Sequence, residues 1–204
     1  MISSLHYISQ QTPGATHLDN ILEACEAGCR WIQLRIKNEA PETVLSTAMA
    51  AKAICSKYNA TLIVNDHPGI AKQVGAHGVH VGKLDMTVAE ARALTGETFI
   101  IGGTANTLED ILIHVKDGAD YVGVGPYRFT TTKEKLSPIL GLEGIAGIMR
   151  SLKDMGIHIP VIAIGGILAE DIPALMETGI HGIAVSGLIT HAANKSQTVS
   201  SLTI

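Results

Sequence analysis

The sequence predicts a closed (β/α)8 barrel, and three observations point to it. Strand-like runs alternate with helical patterns eight times, the runs are continuously apolar, and four segments repeat one another. The repeats are AGCRWIQLR from Ala27, VGAHGVHVG from Val74, DGADYVGVG from Asp117 and TGIHGIAVS from Thr178. Each ends a helix-like stretch, sets a glycine where a helix C-terminus favours a left-handed residue, and enters a short strand within two or three residues. Between them lie the strand candidates LHYIS (5–9), TLIVN (61–65), FIIGG (99–103) and PVIAIGG (160–166). The interleaved helical patterns run in order through PETVLSTAMAAKAICSKY (41–58), VAEARAL, TLEDILIHVK, GLEGIAGIMRSLKDM and AEDIPALMET. Apolar strands joined by helices imply a parallel sheet covered by those helices. An open doubly wound sheet has the same ingredients, but eight units in 204 residues fit a small α/β TIM barrel, expected as one domain over residues 1–204.

Composition narrows the function classes. A net charge of −4 argues against a general nucleic-acid or membrane surface, so any anion site must be a local cluster of cations. Cys25, Cys29 and Cys55 are odd in number and lack CxxC spacing, which reads as small buried hydrophobes. His77 and His80 are three apart on an expected strand and so point to opposite faces, which disfavours a zinc site. No apolar run approaches the roughly 18 residues of a membrane span, and MISSLHYISQQTPG lacks the basic start and apolar run of a secretory signal. A cytoplasmic location is expected, and a homo-oligomer is compatible with the sequence.

In a barrel of this kind the chemistry gathers where the C-terminal strand ends converge. The second strand ends WIQLRIK and puts Gln33, Arg35 and Lys37 on one parity, where cations are costly unless an anion meets them. The third ends LIVNDHPGIA, placing Asn65 and Asp66 before a proline-led helix; Asp66 alone serves equally well as an N-cap there. The fourth ends VHVGKLDM and adds Asp85. Two carboxylates at neighbouring strand ends suit a hard cation, and Mg2+ needs few protein oxygens because it retains water and substrate phosphate. The fifth ends IIGGTANT, where Gly102 and Gly103 let the backbone approach a ligand and Thr104 offers a hydroxyl. The sixth leads into FTTTKEK, whose Thr130, Thr132 and Lys133 can receive phosphate oxygens, with Arg128 just before it read as a surface charge. The seventh and eighth end AIGGI and IAVSGL, and the amides of Gly165, Gly166, Val185 and Ser186 suit a monophosphate. Two anion sites follow: this one, and a diphosphate site combining Mg2+ with Arg35, Lys37, Thr130, Thr132 and Lys133.

Taken in order, IQLRIK, IVNDHPGIA, GVHVGKLDM, DYVGVGPYRFTTTK, PVIAIGGI and GIAVSGLI resemble the thiamine phosphate synthase and thiazole tautomerase family, in its synthase branch, over nearly the whole chain. The resemblance implies a transferase of thiamine biosynthesis that joins hydroxymethylpyrimidine diphosphate to a thiazole phosphate and releases diphosphate. It further implies Mg2+ on Asp66 and Asp85, and diphosphate on Arg35, Lys37, Asn65 and Lys133, with Lys133 assisting its departure. By the same resemblance Gln33 and Thr104 border the pyrimidine and diphosphate, Thr130 and Thr132 border the thiazole phosphate, and Gly166, Val185 and Ser186 hold its phosphate. The chain departs from the family pattern at His67, usually arginine, at Lys83, usually glutamine, and at Thr104, commonly serine. The tautomerase branch, which uses a histidine where this chain has Asn106, is one alternative reading. A phosphosugar isomerase and a noncatalytic phosphate-binding barrel are the others.

Overall fold

The computed structural model describes residues 1–83, 85–129 and 138–202. Its strands are β1 (Leu5–Ile8), β2 (Trp31–Leu34), β3 (Thr61–Asn65), β4 (Gly78–Val81), β5 (Ile100–Ala105), β6 (Tyr121–Val124), β7 (Val161–Ile164) and β8 (Gly182–Val185). They pair in sequence order, all parallel, and β8 returns to β1 to close the barrel. The helices between them are α1 (His17–Glu26), α2 (Pro41–Lys57), α3 (Pro68–Gln73), α4 (Val88–Thr95), α5 (Leu108–Lys116), α6 (Gly141–Asp154) and α7 (Ile172–Glu177), with α8 (Gly187–Thr190) and α9 (Lys195–Leu202) after β8. None of the described helices is long and apolar enough to cross a membrane.

Local chemistry accounts for the boundaries. Thr16 with Asp19, Thr87 with Glu90 and Thr107 with Asp110 form reciprocal capping boxes that satisfy the first amides of α1, α4 and α5. Pro41 and Pro68 open α2 and α3, where a missing amide hydrogen costs nothing. The four repeat glycines, Gly28, Gly75, Gly118 and Gly179, all have φ between 63° and 109°, as expected of residues that turn the chain from helix to strand. Cys25, Cys29 and Cys55 are free and buried in the layer between strands and helices.

Inside the barrel a second cluster forms from Ile8, Trp31, Ile63, Tyr121, Ile162 and Ala184. His6 stacks on Trp31 with ring centroids 4.4 Å apart, and Tyr121 meets both edge-on. Burial pushes the His6 imidazole down to about 3, against a lesser opposing pull from the Ser3 carbonyl to which its Nε2–H donates at 2.9 Å. Side chains two residues further along a strand share its face. The parity that plugs the barrel with Trp31, Ile63 and Ala184 therefore brings Gln33, Asn65 and Ser186 to its rim.

Candidate active site at the C-terminal rim

The ends of β2 and β3 meet through side chains. Gln33, 4% exposed, donates its Nε2–H to Asn65 Oδ1 at 2.7 Å. Arg35 is held at the strand exit because its backbone N–H donates to Ser9 Oγ at 3.1 Å, and that hydroxyl also hydrogen-bonds His17 Nδ1 at 2.9 Å. Lys37 forms an ion pair with Asp66. Asp66 has φ of 64°, a left-handed conformation that non-glycine residues adopt rarely and that gathers at functional sites. Its side chain does not cap α3: the N-cap position is His67, which makes no side-chain cap bond, so the N-cap reading of Asp66 is corrected.

Asp85 comes to the same place from the loop after β4, where its Oδ2 accepts the Gly82 N–H at 3.1 Å. A Cβ on Gly82 would lie 2.4 Å from Asp85 Oδ2 and 3.7 Å from Asp66 Oδ1, so the two carboxylates flank this glycine. Burial raises the Asp66 carboxyl above its usual range, the adjoining Asp85 raises it further, and Lys37 opposes both. Such a pair is satisfied by a shared proton or by a cation. Among the described residues no third His, Cys, Asp or Glu joins them. A donor set of two carboxylates fits Mg2+, which fills its remaining positions from water and phosphate.

Thr104, at the end of β5, is reached through a buried relay that sequence reasoning missed. The Tyr121 hydroxyl contacts His80 Nδ1 at 3.1 Å, and His80 Nε2 contacts Thr104 Oγ1 at 3.0 Å. Burial raises the Tyr121 hydroxyl above its usual range, so it keeps its proton, and His80 is its partner among the described residues. The imidazole thus links a buried phenol to the Thr104 hydroxyl at the end of β5, with the tautomer deciding which of its two nitrogens donates. The histidine was detectable from strand parity. Gly102 and Gly103 serve this packing rather than a ligand, which corrects the expectation for them. A Cβ on Gly102 would lie 2.2 Å from Tyr121 Cζ and 2.6 Å from His80 Nδ1, and one on Gly103 would lie 2.8 Å from the His114 ring. His77, by contrast, sits outside the barrel, with Nδ1 accepting the Leu62 N–H at 2.9 Å.

Beyond β6 the segment with Thr130, Thr132 and Lys133 lies outside the described residues. Its flanks are tied together: Asn106 donates through Nδ2 to Gly125 O at 2.9 Å and to Pro138 O at 2.8 Å. Arg128 is exposed, as its reading as a surface charge has it, but it is also paired. Its guanidinium grips Asp171 with both Nη atoms at 2.8 Å and reaches Gly166 O at 3.0 Å. Burial alone would lift the Asp171 carboxyl, yet Arg128 and the Leu168 amide hold it below the usual range. Gly165 and Gly166 follow β7 with φ of 96° and 67°. Ser186 Oγ, after β8, is buried without a hydrogen-bond partner, while Val185 buries its side chain and offers only its backbone. With β7 and β8 paired side by side, this hydroxyl is a donor that needs a partner at the same strand ends as the glycine pair. Lys83 pairs with Asp110, the capping residue of α5, at 2.7 Å and is spent on that contact.

Comparison with known proteins agrees with this geometry. The family described as Thiamine monophosphate synthase matches residues 5–189. The thiamine-phosphate synthase of Bacteroides fragilis is 54% identical over 189 residues, 93% of either chain. That of Flavobacterium johnsoniae is 50% identical over 202 residues, 99% of this chain and 95% of its own. A solved thiamine phosphate pyrophosphorylase from Pyrococcus furiosus superposes with a TM-score of 0.84 at 31% identity, over 98% of this chain and 93% of the other. Matched over nearly its whole length by sequence and by barrel alike, the chain belongs to the thiamine monophosphate synthase family.

Proposed function

We propose that the rim joins hydroxymethylpyrimidine diphosphate to a thiazole phosphate, giving thiamine phosphate and diphosphate. The observation that carries this reading is the pair of carboxylates around Gly82 with Lys37 paired to Asp66, at the same C-terminal end of the strands as the buried, unpartnered Ser186 hydroxyl. The carbon–oxygen bond of the pyrimidine methylene breaks, and its electron pair leaves with the diphosphate. The thiazole nitrogen lone pair then forms the new carbon–nitrogen bond, and the positive charge ends on the thiazolium ring. No proton changes hands.

Mg2+ held by Asp66 and Asp85 would neutralise the charge that builds on the departing diphosphate. Lys37 pairs with Asp66 in the structure, and an ammonium beside a carboxylate that takes a divalent cation is free to turn to the anionic leaving group. Arg35 adds a fixed charge whose backbone is pinned by Ser9. Lys133 is assigned to the leaving diphosphate by sequence pattern alone. Gln33, Asn65 and the Thr104 hydroxyl orient the pyrimidine and the adjoining phosphate, while Gly166, Val185 and Ser186 hold the thiazole phosphate. Thr130 and Thr132 are assigned to the same phosphate by pattern. Asn106 has no titratable group and spends its amide on two carbonyls, so it is unsuited to the proton transfer of a tautomerase.

The test mixes both substrates and follows diphosphate release and thiamine phosphate formation with and without Mg2+. Product that depends on both substrates and on the metal is expected. Thermal stabilisation by the two ligands without product would leave a binding protein and end the catalytic reading.

A further inference from the structure

Two adjacent peptides after β7 are oriented by a residue outside the binding set. The Gly165 carbonyl accepts the Arg128 backbone N–H at 2.9 Å, and the Gly166 carbonyl accepts Arg128 Nη1 at 3.0 Å. The cis peptide bond of the described chain lies elsewhere, at Gly125–Pro126, so these peptides are trans, and a trans peptide points its N–H opposite to its C=O. Anchoring both carbonyls toward Arg128 therefore turns the N–H groups of Gly166 and Ile167 away from it. Neither N–H has a partner among the described residues. Successive amides in a left-handed run form a concave anion receptor, but two glycines with φ of 96° and 67° have little intrinsic preference for that shape.

The clamp supplies the missing rigidity. Asp171 accepts both Nη atoms of Arg128, the Leu168 N–H at 2.8 Å and the Tyr127 hydroxyl at 3.2 Å, which fixes the guanidinium at its far end. The glycines also admit no side chain against this strap: a Cβ on Gly165 would lie 2.8 Å from Pro126 Cα, and one on Gly166 would lie 2.8 Å from Phe129 O. We propose that the Arg128–Asp171 pair is a positioning device that presets the Gly166 and Ile167 amides for the monophosphate of the thiazole substrate, without touching that substrate. The proposal rests on the reading that this phosphate binds at Gly166 and Ser186.

The test is steady-state kinetics of Arg128→Lys and Asp171→Asn with each substrate varied in turn, beside Ser186→Ala as the reference for the phosphate site. Lys keeps the charge but cannot form the two-pronged contact. Each clamp variant should raise KM for the thiazole phosphate about tenfold, the loss of roughly one hydrogen bond to a charged group, with kcat and KM for the pyrimidine diphosphate changed less than about twofold. The double variant should be no worse than the poorer single one. A purely structural role would lower the melting temperature and move both KM values together, and that result overturns the proposal. So does a rise in KM confined to the pyrimidine diphosphate. If Ser186→Ala leaves KM for the thiazole phosphate unchanged, the phosphate reading itself fails; if it raises that KM while the clamp variants do not, only the clamp fails.

Discussion

Asp85→Asn should make the metal-free protein more stable while abolishing its response to Mg2+. The Cβ position of Gly82 lies 2.4 Å from Asp85 Oδ2 and 3.7 Å from Asp66 Oδ1, which limits the separation of the two oxygens to about 6 Å. Two unit charges at about 6 Å repel by about 3 kcal/mol at an effective dielectric near 20. Asp85 is exposed and Lys37 offsets part of the repulsion, so about 1 kcal/mol remains after screening. The sign follows from the Asp66 carboxyl, which is raised by burial first and by Asp85 next. A carboxyl raised in the folded state destabilises that state as pH climbs through its folded value and it ionises. The advantage of the variant is therefore present at pH 8 and vanishes in acid, where Asp66 is protonated in both proteins. Urea unfolding at pH 8 in low salt, with and without millimolar Mg2+, reads the effect. Wild type should gain stability from the metal, whereas the variant should start higher and gain little. Diphosphate release by the variant should fall at least a hundredfold. A variant less stable than wild type without metal, or one with an unchanged Mg2+ titration, would refute the paired-carboxylate argument.

The remaining predictions concern the barrel interior. Gly102→Ala would drive a methyl to 2.2 Å from Tyr121 Cζ, inside a ring cluster with no room to move, and should lower unfolding free energy by roughly 1–3 kcal/mol or prevent folding. Tyr121→Phe removes the buried hydroxyl that contacts His80 Nδ1; nitrogen-15 NMR of His80 should show its tautomer balance shift, with kcat/KM down roughly tenfold and the fold retained. His6, held neutral by burial with its imidazole pushed down to about 3, must lose stability as pH falls. Its contribution is intact above the unfolded value near 6.5 and declines by up to about 1.4 kcal/mol per pH unit below it, and His6→Phe should flatten urea-unfolding free energy against pH between about 6 and 4.

Much of this molecule is written in neighbouring residues. The glycines at 28, 75, 118 and 179 are legible because a left-handed turn between helix and strand is a local demand, and each meets it. The alternation of helices with apolar strands is equally local, and parity along β2 already sends Gln33 to the mouth once a closed sheet is assumed. Closure itself decided the rest. Gly102 looked like room for a ligand until β6 brought Tyr121 against it and β4 brought His80. The ion pair of the exposed Arg128 was not legible because its partner, Asp171, stands 43 residues away. Asp66 looked like a cap because its left-handed backbone and its meeting with Asp85 arise only when β3 and β4 are side by side. Backbone preferences act over a few residues and can be read in sequence, whereas ion pairs and ring contacts depend on distances that exist only after the eight strands join into a ring.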